Sequence, residues 1–200
     1  MHDLTGILQL ADGPEKTAAL AEWVQSLYSE DSPRPVLVGG AAVELLTDGA
    51  YTTGDLDFVG NVPDEVAAQL VDHGFERHGR HWVHPAGEIF LEFPASELAS
   101  PETSLTMQIA GSTLEILSPE AVLVDRLSAW EFWDLDQDGI NAFLVWRAAY
   151  ENLNETRLEA LIKVRHLNEA WKRFSSFTER HLNTEPTAEE LSRWASKQDP

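Results

Sequence analysis

The sequence predicts an α/β (α+β) protein with a helical C-terminal part. Helical and strand-like patterns alternate up to about residue 118, little strand character follows, and 43% of the 200 residues are hydrophobic. Seven tryptophans add to this apolar surface, which is enough for a folded core to offset the entropy lost on ordering the chain. We therefore expect an α/β domain over residues 1–118 and a helical domain or subdomain over residues 119–200.

The helices and strands of the N-terminal part are predicted from the spacing of apolar residues and from the proline and glycine residues that interrupt it. Apolar residues at helical spacing predict helices over 14–28, 41–46 and 63–74. A short apolar run at 36–38 and polar–apolar alternation at 55–59 predict two strands. Further short strands are predicted over 75–78, 81–84, 88–93, 107–110 and 113–117.

The C-terminal part opens on a strong helix start. Ser118, Pro119 and Glu120 supply an N-cap, a first-turn proline and a first-turn acid. Helices are predicted over 119–133, 140–151 and 156–174, and Thr187 with Glu190 forms a capping box for a short last helix. We expect the residues from about 175 onward to be loosely attached.

Charge excludes one broad class of partner. The chain has 14 Lys and Arg against 34 Asp and Glu, a net charge of −20, and residues 1–118 hold 4 of these basic and 19 of these acidic residues. Such a surface repels phosphate backbones over a Debye length of about 8 Å, so broad nucleic-acid binding is not expected. Most of the acid is interpreted as solvated surface, and divalent cations are attracted to it.

The absence of cysteine and of long apolar segments excludes further classes. A chain without cysteine has no disulfide, no Cys-ligated zinc, no iron–sulfur cluster and no thiol nucleophile. The N-terminus lacks the pattern of a signal peptide, and no apolar run approaches the ~18–20 residues of a membrane span. We expect a cytoplasmic protein that does not engage membranes.

Two short motifs carry the candidate chemistry. Gly39-Gly40 ends the first predicted strand, where glycine backbone can approach phosphates at the N-terminus of the following helix. Asp55 and Asp57 are two residues apart on the second strand, so both carboxylates lie on one face. Adjacent carboxylates repel each other and suit a hard cation such as Mg²⁺, which leaves coordination positions for substrate phosphates.

A third carboxylate, that of Glu92, lies on a later predicted strand. Glu88 lies four residues before it, a spacing that places both on the same strand face. Two metal ions held by three such acids can activate an attacking oxygen and stabilise the leaving pyrophosphate oxygen.

These residues resemble the signature of the nucleotidyltransferase superfamily in its small bacterial members. The similarity lies in Val38-Gly39-Gly40, a helix, and Thr53-Gly54-Asp55-Leu56-Asp57-Phe58. It implies a mixed sheet with flanking helices, nucleotide phosphates at Gly39 and Gly40, and one or two Mg²⁺ ions at Asp55 and Asp57. It also implies a third acid on a neighbouring later strand, acting as third ligand or general base, for which Glu92 is the best match and Glu88 the competitor. Ala41 stands where many active members have serine, and no basic residue is near the motif, so Arg126 is expected to contact the phosphates, with an ordinary salt bridge as the alternative.

The resemblance implies transfer of a nucleoside monophosphate from an NTP to an acceptor that is a small molecule, a protein or a tRNA. A long RNA is expected to approach near Lys163 and Arg165, in the most basic stretch of the chain. Beyond the motif, the stretch through Ser118-Pro119, Asp125-Arg126-Leu127 and Trp133 resembles a bacterial subgroup of this superfamily. That subgroup is related to nucleotidyltransferase-like toxins of abortive-infection and toxin–antitoxin systems, which implies an antitoxin partner. The alternative is a catalytically inactive binding or regulatory module with the same fold.

An acidic segment provides a competing hypothesis. Residues 134–139 match the first half of a calcium loop, but its positions eight and twelve are Asn141 and Val145 instead of an apolar residue and a bidentate Glu. We favour an interhelical turn, with a calcium-stabilised partner-binding protein as a further alternative.

Histidines and tryptophans form two more groups. The spacing of His73, His78, His81 and His84 is not that of a zinc site, so surface or hairpin positions are expected. The helical periods of Trp130, Trp133, Trp146 and Trp171 predict core positions rather than a platform for bases.

Overall fold

The structure is a computed structural model that describes residues 3–86 and 88–197. It divides into two compact units, one up to Ser118 and one from Pro119. The first unit combines a mixed sheet with helices and the second is helical, which confirms the predicted fold class. No helix in the described ranges has the length and apolar content needed to cross a membrane.

The described part of the N-terminal unit has one seven-stranded sheet. Its strands are β1 (Val36–Val38), β2 (Asp55–Val59), β3 (Glu76–His78), β4 (His81–His84), β5 (Ile89–Ala95), β6 (Ser104–Ile109) and β7 (Ser112–Leu117). They lie in the order β3-β4-β5-β2-β1-β7-β6, with β2 parallel to β5, β1 parallel to β7 and the remaining neighbours antiparallel. The helices of this unit are α1 (Leu4–Ile7), α2 (Pro14–Ser26), α3 (Gly39–Leu46) and α4 (Asp64–Asp72).

A buried glutamine fixes α2 against the sheet. The Gln25 side chain donates to the carbonyls of Pro35 (2.9 Å) and Glu115 (2.7 Å) and accepts from the Glu115 N–H (2.9 Å). Gln25 is only 1% exposed, so its amide loses its hydrogen bonds to water when the chain folds. These three bonds within the protein replace them. They tie α2 to β7 and to the residue that precedes β1, the strand that leads into Gly39.

The helical unit contains five α-helices in its described residues. They are α5 (Pro119–Trp133), α6 (Asp136–Ala149), α7 (Glu155–Val164), α8 (Asn168–Arg180) and α9 (Ala188–Ala195), with a 3₁₀ turn at Tyr150–Asn152. The predicted bounds of α5 and the Thr187–Glu190 capping box of α9 are confirmed. Trp130 and Trp146 are buried as predicted, whereas Trp133, the last residue of α5, is 74% exposed.

The single helix predicted over 156–174 is wrong, because the chain turns between α7 and α8. His166 adopts a left-handed conformation (φ +57°) just beyond the end of α7. The Leu167 N–H then donates to the Ile162 carbonyl (3.0 Å), and the Leu167 side chain is buried. This is a Schellman-type ending in which histidine takes the place usually held by glycine, so the sequence carried no stop signal.

The expectation of a loosely attached C-terminal segment is also wrong. The Trp194 ring stacks on Phe177 (4.4 Å between centroids) and lies 4.8 Å from the Trp130 ring. The Trp130 indole N–H donates to the Ala195 carbonyl (2.6 Å), and Trp194 is 5% exposed. The last helix is therefore part of the core of the helical unit.

Candidate active site

The two halves of the glycine–aspartate motif meet at the start of α3. β1 runs antiparallel to β2 with Val38 opposite Asp57, and Gly39 follows with a left-handed φ of +65°. A Cβ atom on Gly39 would overlap the Oδ2 atom of Asp57, so this carboxylate lies directly over the glycine backbone. A carboxylate at this place is favoured by the partial positive charge of the helix N-terminus.

A buried acid positions the segment that leads into Asp55. The Glu44 Oε2 atom accepts hydrogen bonds from the Thr17 hydroxyl (3.2 Å) and the Thr53 N–H (3.3 Å), and Glu44 is 1% exposed. Burial raises the pKa of Glu44. The Thr53 hydroxyl in turn accepts from the Asp55 N–H (3.4 Å) and packs against Gly40, where a Cβ atom would lie 2.9 Å from it.

Strand register brings the third acid beside the motif. In the parallel β2–β5 pair, Asp57 lies opposite Glu92 and Asp55 lies opposite Phe90. Side chains alternate along a strand, so these four share one face, whereas Leu56 on the other face is buried. The three predicted carboxylates therefore lie on one face of two neighbouring strands.

Glu88 does not share this face, contrary to the expectation. It precedes β5 with a left-handed φ of +50°, so strand alternation does not apply to it. Glu88 lines a different cavity together with Leu56 and Ile89. Of the two candidate third acids, the structure places Glu92 beside Asp57.

Two residues that sequence reasoning missed contact Glu92. The Arg80 Nε atom lies 2.8 Å from one carboxylate oxygen of Glu92, and the His81 Nδ1 atom lies 3.6 Å from the other. His81 stands opposite Glu92 in the antiparallel β4–β5 pair, and Arg80 immediately precedes it. The alternating pattern of β4 was visible in the sequence, but the register that sets these contacts was not.

A cavity of about 380 Å³ opens on the carboxylate face. Phe90 is 45% exposed and supplies an aromatic surface there. His78, His81 and His84 lie on the hairpin strands β3 and β4, as the expectation of surface or hairpin positions requires. His78 and His81 also line the cavity, whereas His84 is buried against Phe75. The lining residues are Asp55, His78, His81, Val83, Phe90, Leu91 and Glu92.

The donor set has the chemistry that a magnesium site needs. Asp55, Asp57 and Glu92 offer the carboxylate oxygens that Mg²⁺ prefers. In the arrangement described here, however, no three His, Asp or Glu side chains in residues 3–86 and 88–197 converge on one metal position. Glu92 instead forms its ion pair with Arg80.

Arg126 is held by carboxylates of its own helical unit. Its Nη2 atom lies 2.5 Å from Asp125 and its Nη1 atom 2.6 Å from Asp138, and its side chain is 19% exposed. The structure thus shows the salt bridge that the alternative interpretation of Arg126 predicts, and a phosphate contact of Arg126 stays a prediction.

The other two basic candidates lie elsewhere in the helical unit. Lys163 is exposed in the last turn of α7, and Arg165 follows that helix as its C-cap residue.

The calcium-loop interpretation of residues 134–139 is wrong. α6 begins at Asp136, so the interhelical turn contains only Asp134 and Leu135. Asp134 pairs with Lys197 (2.7 Å), which lowers the pKa of Asp134, and Asp138 pairs with Arg126. These carboxylates are separated and have cationic partners, so they do not form a loop around an ion.

The glycine of that segment has a packing role. Gly139 lies within α6, and a Cβ atom there would lie 2.8 Å from the Trp130 indole nitrogen. The absence of a side chain at Gly139 lets α6 approach the buried Trp130 ring of α5. Close helix packing, and not a sharp ligand loop, explains this glycine.

Comparisons with known proteins identify the fold. No protein-family model matches the chain, and no curated protein matches its sequence significantly. A crystal structure of an antigenic nucleotidyltransferase-like protein from Paracoccidioides brasiliensis is similar, with a TM-score of 0.51 and 21% identity over 78% of this chain and 92% of that one. The solution structure of the antibiotic-resistance factor ANT(2'')-Ia is similar with a TM-score of 0.51 and 19% identity, over 82% and 96% of the two chains.

Proposed function

We propose that this chain, which has the nucleotidyltransferase-like fold, transfers a nucleoside monophosphate from an NTP to an acceptor in a Mg²⁺-dependent reaction. One observation carries the proposal: Asp57 lies over Gly39 at the start of α3 and faces Glu92 on the neighbouring strand. In the reaction, an acceptor oxygen bonds to the α-phosphorus of the NTP, the bond to the β-phosphate oxygen breaks, and pyrophosphate leaves.

Gly39 and Gly40 are proposed to bind the nucleotide phosphates. They open α3, whose N-cap residue Val38 makes no side-chain capping bond. The backbone N–H groups of a first helical turn lack partners within the helix, and the helix dipole favours anions there. Neither glycine adds a side chain of its own over these donors, whose neighbours are the Asp57 carboxylate at Gly39 and the Thr53 hydroxyl at Gly40.

Asp55 and Asp57 are proposed to hold Mg²⁺, with Glu92 as the third acid. When bound, the metal would neutralise charge on the phosphates and act as a Lewis acid on them. Glu92 would accept the proton of the acceptor hydroxyl. Arg80 and His81 would orient Glu92, because both lie against its carboxylate oxygens.

Phe90 is proposed to contact a planar part of a substrate. It stands opposite Asp55 in the strand pair, and almost half of its side chain faces solvent in a site otherwise rich in charge. An exposed aromatic ring beside metal-binding carboxylates supports stacking of a base or a ring-shaped acceptor.

Transfer of radiolabel from an α-labelled NTP tests the proposal. Wild type, Asp55→Asn/Asp57→Asn and the exposed-site control Asp31→Asn are incubated with Mg²⁺ and a cell extract. We expect labelled product with wild type and the control, its loss with EDTA, and its loss in the double variant. Label transfer that survives in the double variant would contradict the assignment.

The ion pair between Arg80 and Glu92 favours a second candidate function. In it, the chain is a module that binds a nucleotide and does not transfer the nucleoside monophosphate to an acceptor. Glu92 has a cationic partner in the described structure, and no three metal-binding side chains converge there. Such a module would bind Mg²⁺ and NTP in calorimetry and give no labelled product. Product formation that depends on Asp55 and Asp57 would exclude it.

A toxin–antitoxin role is proposed on the resemblance of the stretch through Ser118-Pro119, Asp125-Arg126-Leu127 and Trp133 to a bacterial subgroup that is related to nucleotidyltransferase-like toxins. It predicts that expression of the wild-type chain alone slows bacterial growth and that Asp55→Asn/Asp57→Asn relieves the effect. Equal growth inhibition by both proteins would contradict this role.

A further inference from the structure

A cavity in the helical unit gathers cations in a chain that has few of them. It measures about 360 Å³ and is bounded by α5, α8 and the C-terminal segment. The full chain contains 14 Lys and Arg, of which ten follow Pro119, and four of those ten line this one cavity. The lining residues are Trp130, Glu169, Lys172, Arg173, Ser176, Arg180, Trp194 and Lys197.

Two of the four cations are partly neutralised by acids that do not line the cavity. Arg173 pairs with Glu131, and Lys197 pairs with Asp134 (2.7 Å). Both cations also lie over the Trp130 ring, 5.4 and 5.5 Å from its centroid. Their charged groups are therefore positioned over a rigid aromatic ring, which lowers the entropy lost when a ligand binds.

The other two cations have no carboxylate partner in the described part of the chain. Lys172 and Arg180 are exposed on α8, and the Arg180 guanidinium lies 5.6 Å from the Phe177 ring centroid. Glu169 is the acid that lines the cavity with them. Since the Glu131 bond uses only the Nη2 group of Arg173, that guanidinium also keeps N–H donors that have no partner among the described residues.

We propose that this cavity binds a compact polyphosphate anion such as inorganic tripolyphosphate or the phosphate chain of a nucleotide. Guanidinium and ammonium groups that converge on one concavity match the clustered oxygens of such an anion. The concavity, with a volume of about 360 Å³, has room for a short chain of phosphates. An extended RNA backbone is disfavoured, because residues 119–200 carry a net charge of −5 outside this local cluster.

The test uses the full chain in EDTA, so that no divalent metal supports binding at Asp55 and Asp57. Tripolyphosphate is titrated by calorimetry into wild type, Lys172→Gln/Arg180→Gln, and the control Lys163→Gln/Arg165→Gln, which removes the same charge from α7 and its C-cap. We expect binding to weaken at least about tenfold in the first variant and to change less than about twofold in the control. Glu169→Gln is expected to tighten binding by about two- to fivefold, because it removes the acid of the lining.

Three outcomes would overturn the proposal. The first is equal weakening in both double variants, which would indicate only long-range charge. The second is wild type without measurable tripolyphosphate binding. The third is tighter binding of single-stranded RNA than of tripolyphosphate, which would assign the cations to an extended backbone. A nucleotide that binds in EDTA as tightly as tripolyphosphate would support recognition through its phosphate chain.

Discussion

Gly39 is the residue on which the geometry of the proposed site depends most. Its left-handed φ disfavours a side chain, and the Asp57 oxygen above it leaves no room for one. Sequence reasoning identified Gly39 as a phosphate-binding residue, and this role remains a prediction. The close approach of Asp57 was not predictable, since it follows from the register of β1 with β2.

Gly39→Ala is predicted to impair both stability and activity. A non-glycine residue in the left-handed region costs about 1–2 kcal/mol, and Asp57 must also move away from the new methyl group. We expect the free energy of unfolding in urea to fall by about that amount and label transfer to fall by about 100-fold, the loss that a misplacement of ~1 Å can cause.

Gly54→Ala is the matched control for this substitution. Gly54 lies in the same motif, has no left-handed φ, and has no atom within 4 Å of a Cβ position. We expect its unfolding free energy to stay within about 0.5 kcal/mol of wild type. Equal behaviour of the two alanine variants would contradict the role assigned to Gly39.

Glu44→Gln is predicted to gain stability relative to wild type as the pH rises. Because burial raises the pKa of Glu44, the unfolded chain ionises first, near pH ~4.3, and wild type loses stability between that pH and the higher folded-state pKa. Glutamine removes this loss. The free energy of unfolding in urea is measured for both proteins at pH 4 and pH 7. The value of the variant minus that of wild type should be more positive at pH 7 than at pH 4.

The control for that measurement is Glu30→Gln at an exposed position after α2. It should show no comparable shift between the two pH values. A difference between Glu44→Gln and wild type that is the same at both pH values would argue against an energetic cost of ionising Glu44.

At the scale of elements, the β3–β4 hairpin determines what surrounds Glu92. The sequence predicted both strands of this hairpin, and β4 was predicted with the bounds that the structure has. The contacts of Arg80 and His81 depend on pairing between strands, which a single-strand pattern does not specify. Boundaries that depend on tertiary packing, such as the turn at His166, were missed for a related reason.

Arg80→Gln is predicted to strengthen binding of a divalent cation. The Arg80 guanidinium competes with a metal for Glu92, and a solvent-accessible ion pair of this kind is worth about 0.2–1 kcal/mol. Mn²⁺ titration followed by calorimetry or electron paramagnetic resonance should therefore show a site that is tighter by about 1.4- to fivefold.

Arg77→Gln removes the same charge from the same hairpin and serves as the control. Arg77 lies over the Trp82 ring and donates to the Gly79 carbonyl instead of contacting Glu92. An increase in Mn²⁺ affinity of equal size in both variants would attribute the effect to net charge and not to the Glu92 ion pair.

The α9 helix provides a test of packing. Trp194→Ala removes a ring stacked on Phe177 and packed against Trp130, and buried Trp→Ala substitutions cost about 3–5 kcal/mol. Trp133→Ala, at a position that is 74% exposed, should cost less than about 1 kcal/mol. Chemical denaturation measures the loss of unfolding free energy in each variant. A loosely attached last helix would give similar losses for Trp194→Ala and Trp133→Ala.

At the scale of the whole molecule, the acidic residues behind the charge of −20 differ in burial and in proposed role. Much of this charge is exposed, as predicted, but Asp57 and Glu92 are half-buried on one sheet face, and Glu44 is buried behind the motif. Composition could not separate these acids from the solvated ones. The cationic cavity of the helical unit was equally hidden, because its members come from three segments that only the fold brings together.

The fold class could be predicted from alternation and spacing, because local patterns carry that information. Some residues of the candidate site could be predicted, because Gly39, Asp55 and Asp57 belong to a short motif. The prediction of Glu92 depended on the family resemblance and on a predicted strand. Its position beside Asp57 follows from the register of the parallel β2–β5 pair, which the sequence does not specify. Long-range pairing accounts for most of what the sequence left open.

Binding of a non-hydrolysable NTP analogue, measured by calorimetry with and without Mg²⁺, tests the central claim most directly. Wild type and Asp31→Asn are predicted to show a Mg²⁺-dependent binding event that disappears in EDTA, separate from any metal-independent binding at the cationic cavity. Asp55→Asn/Asp57→Asn is predicted to lose this Mg²⁺-dependent binding while its thermal unfolding remains cooperative. Mg²⁺-dependent binding of wild-type strength in the double variant, or no such binding in wild type, would contradict a metal–nucleotide site at these carboxylates.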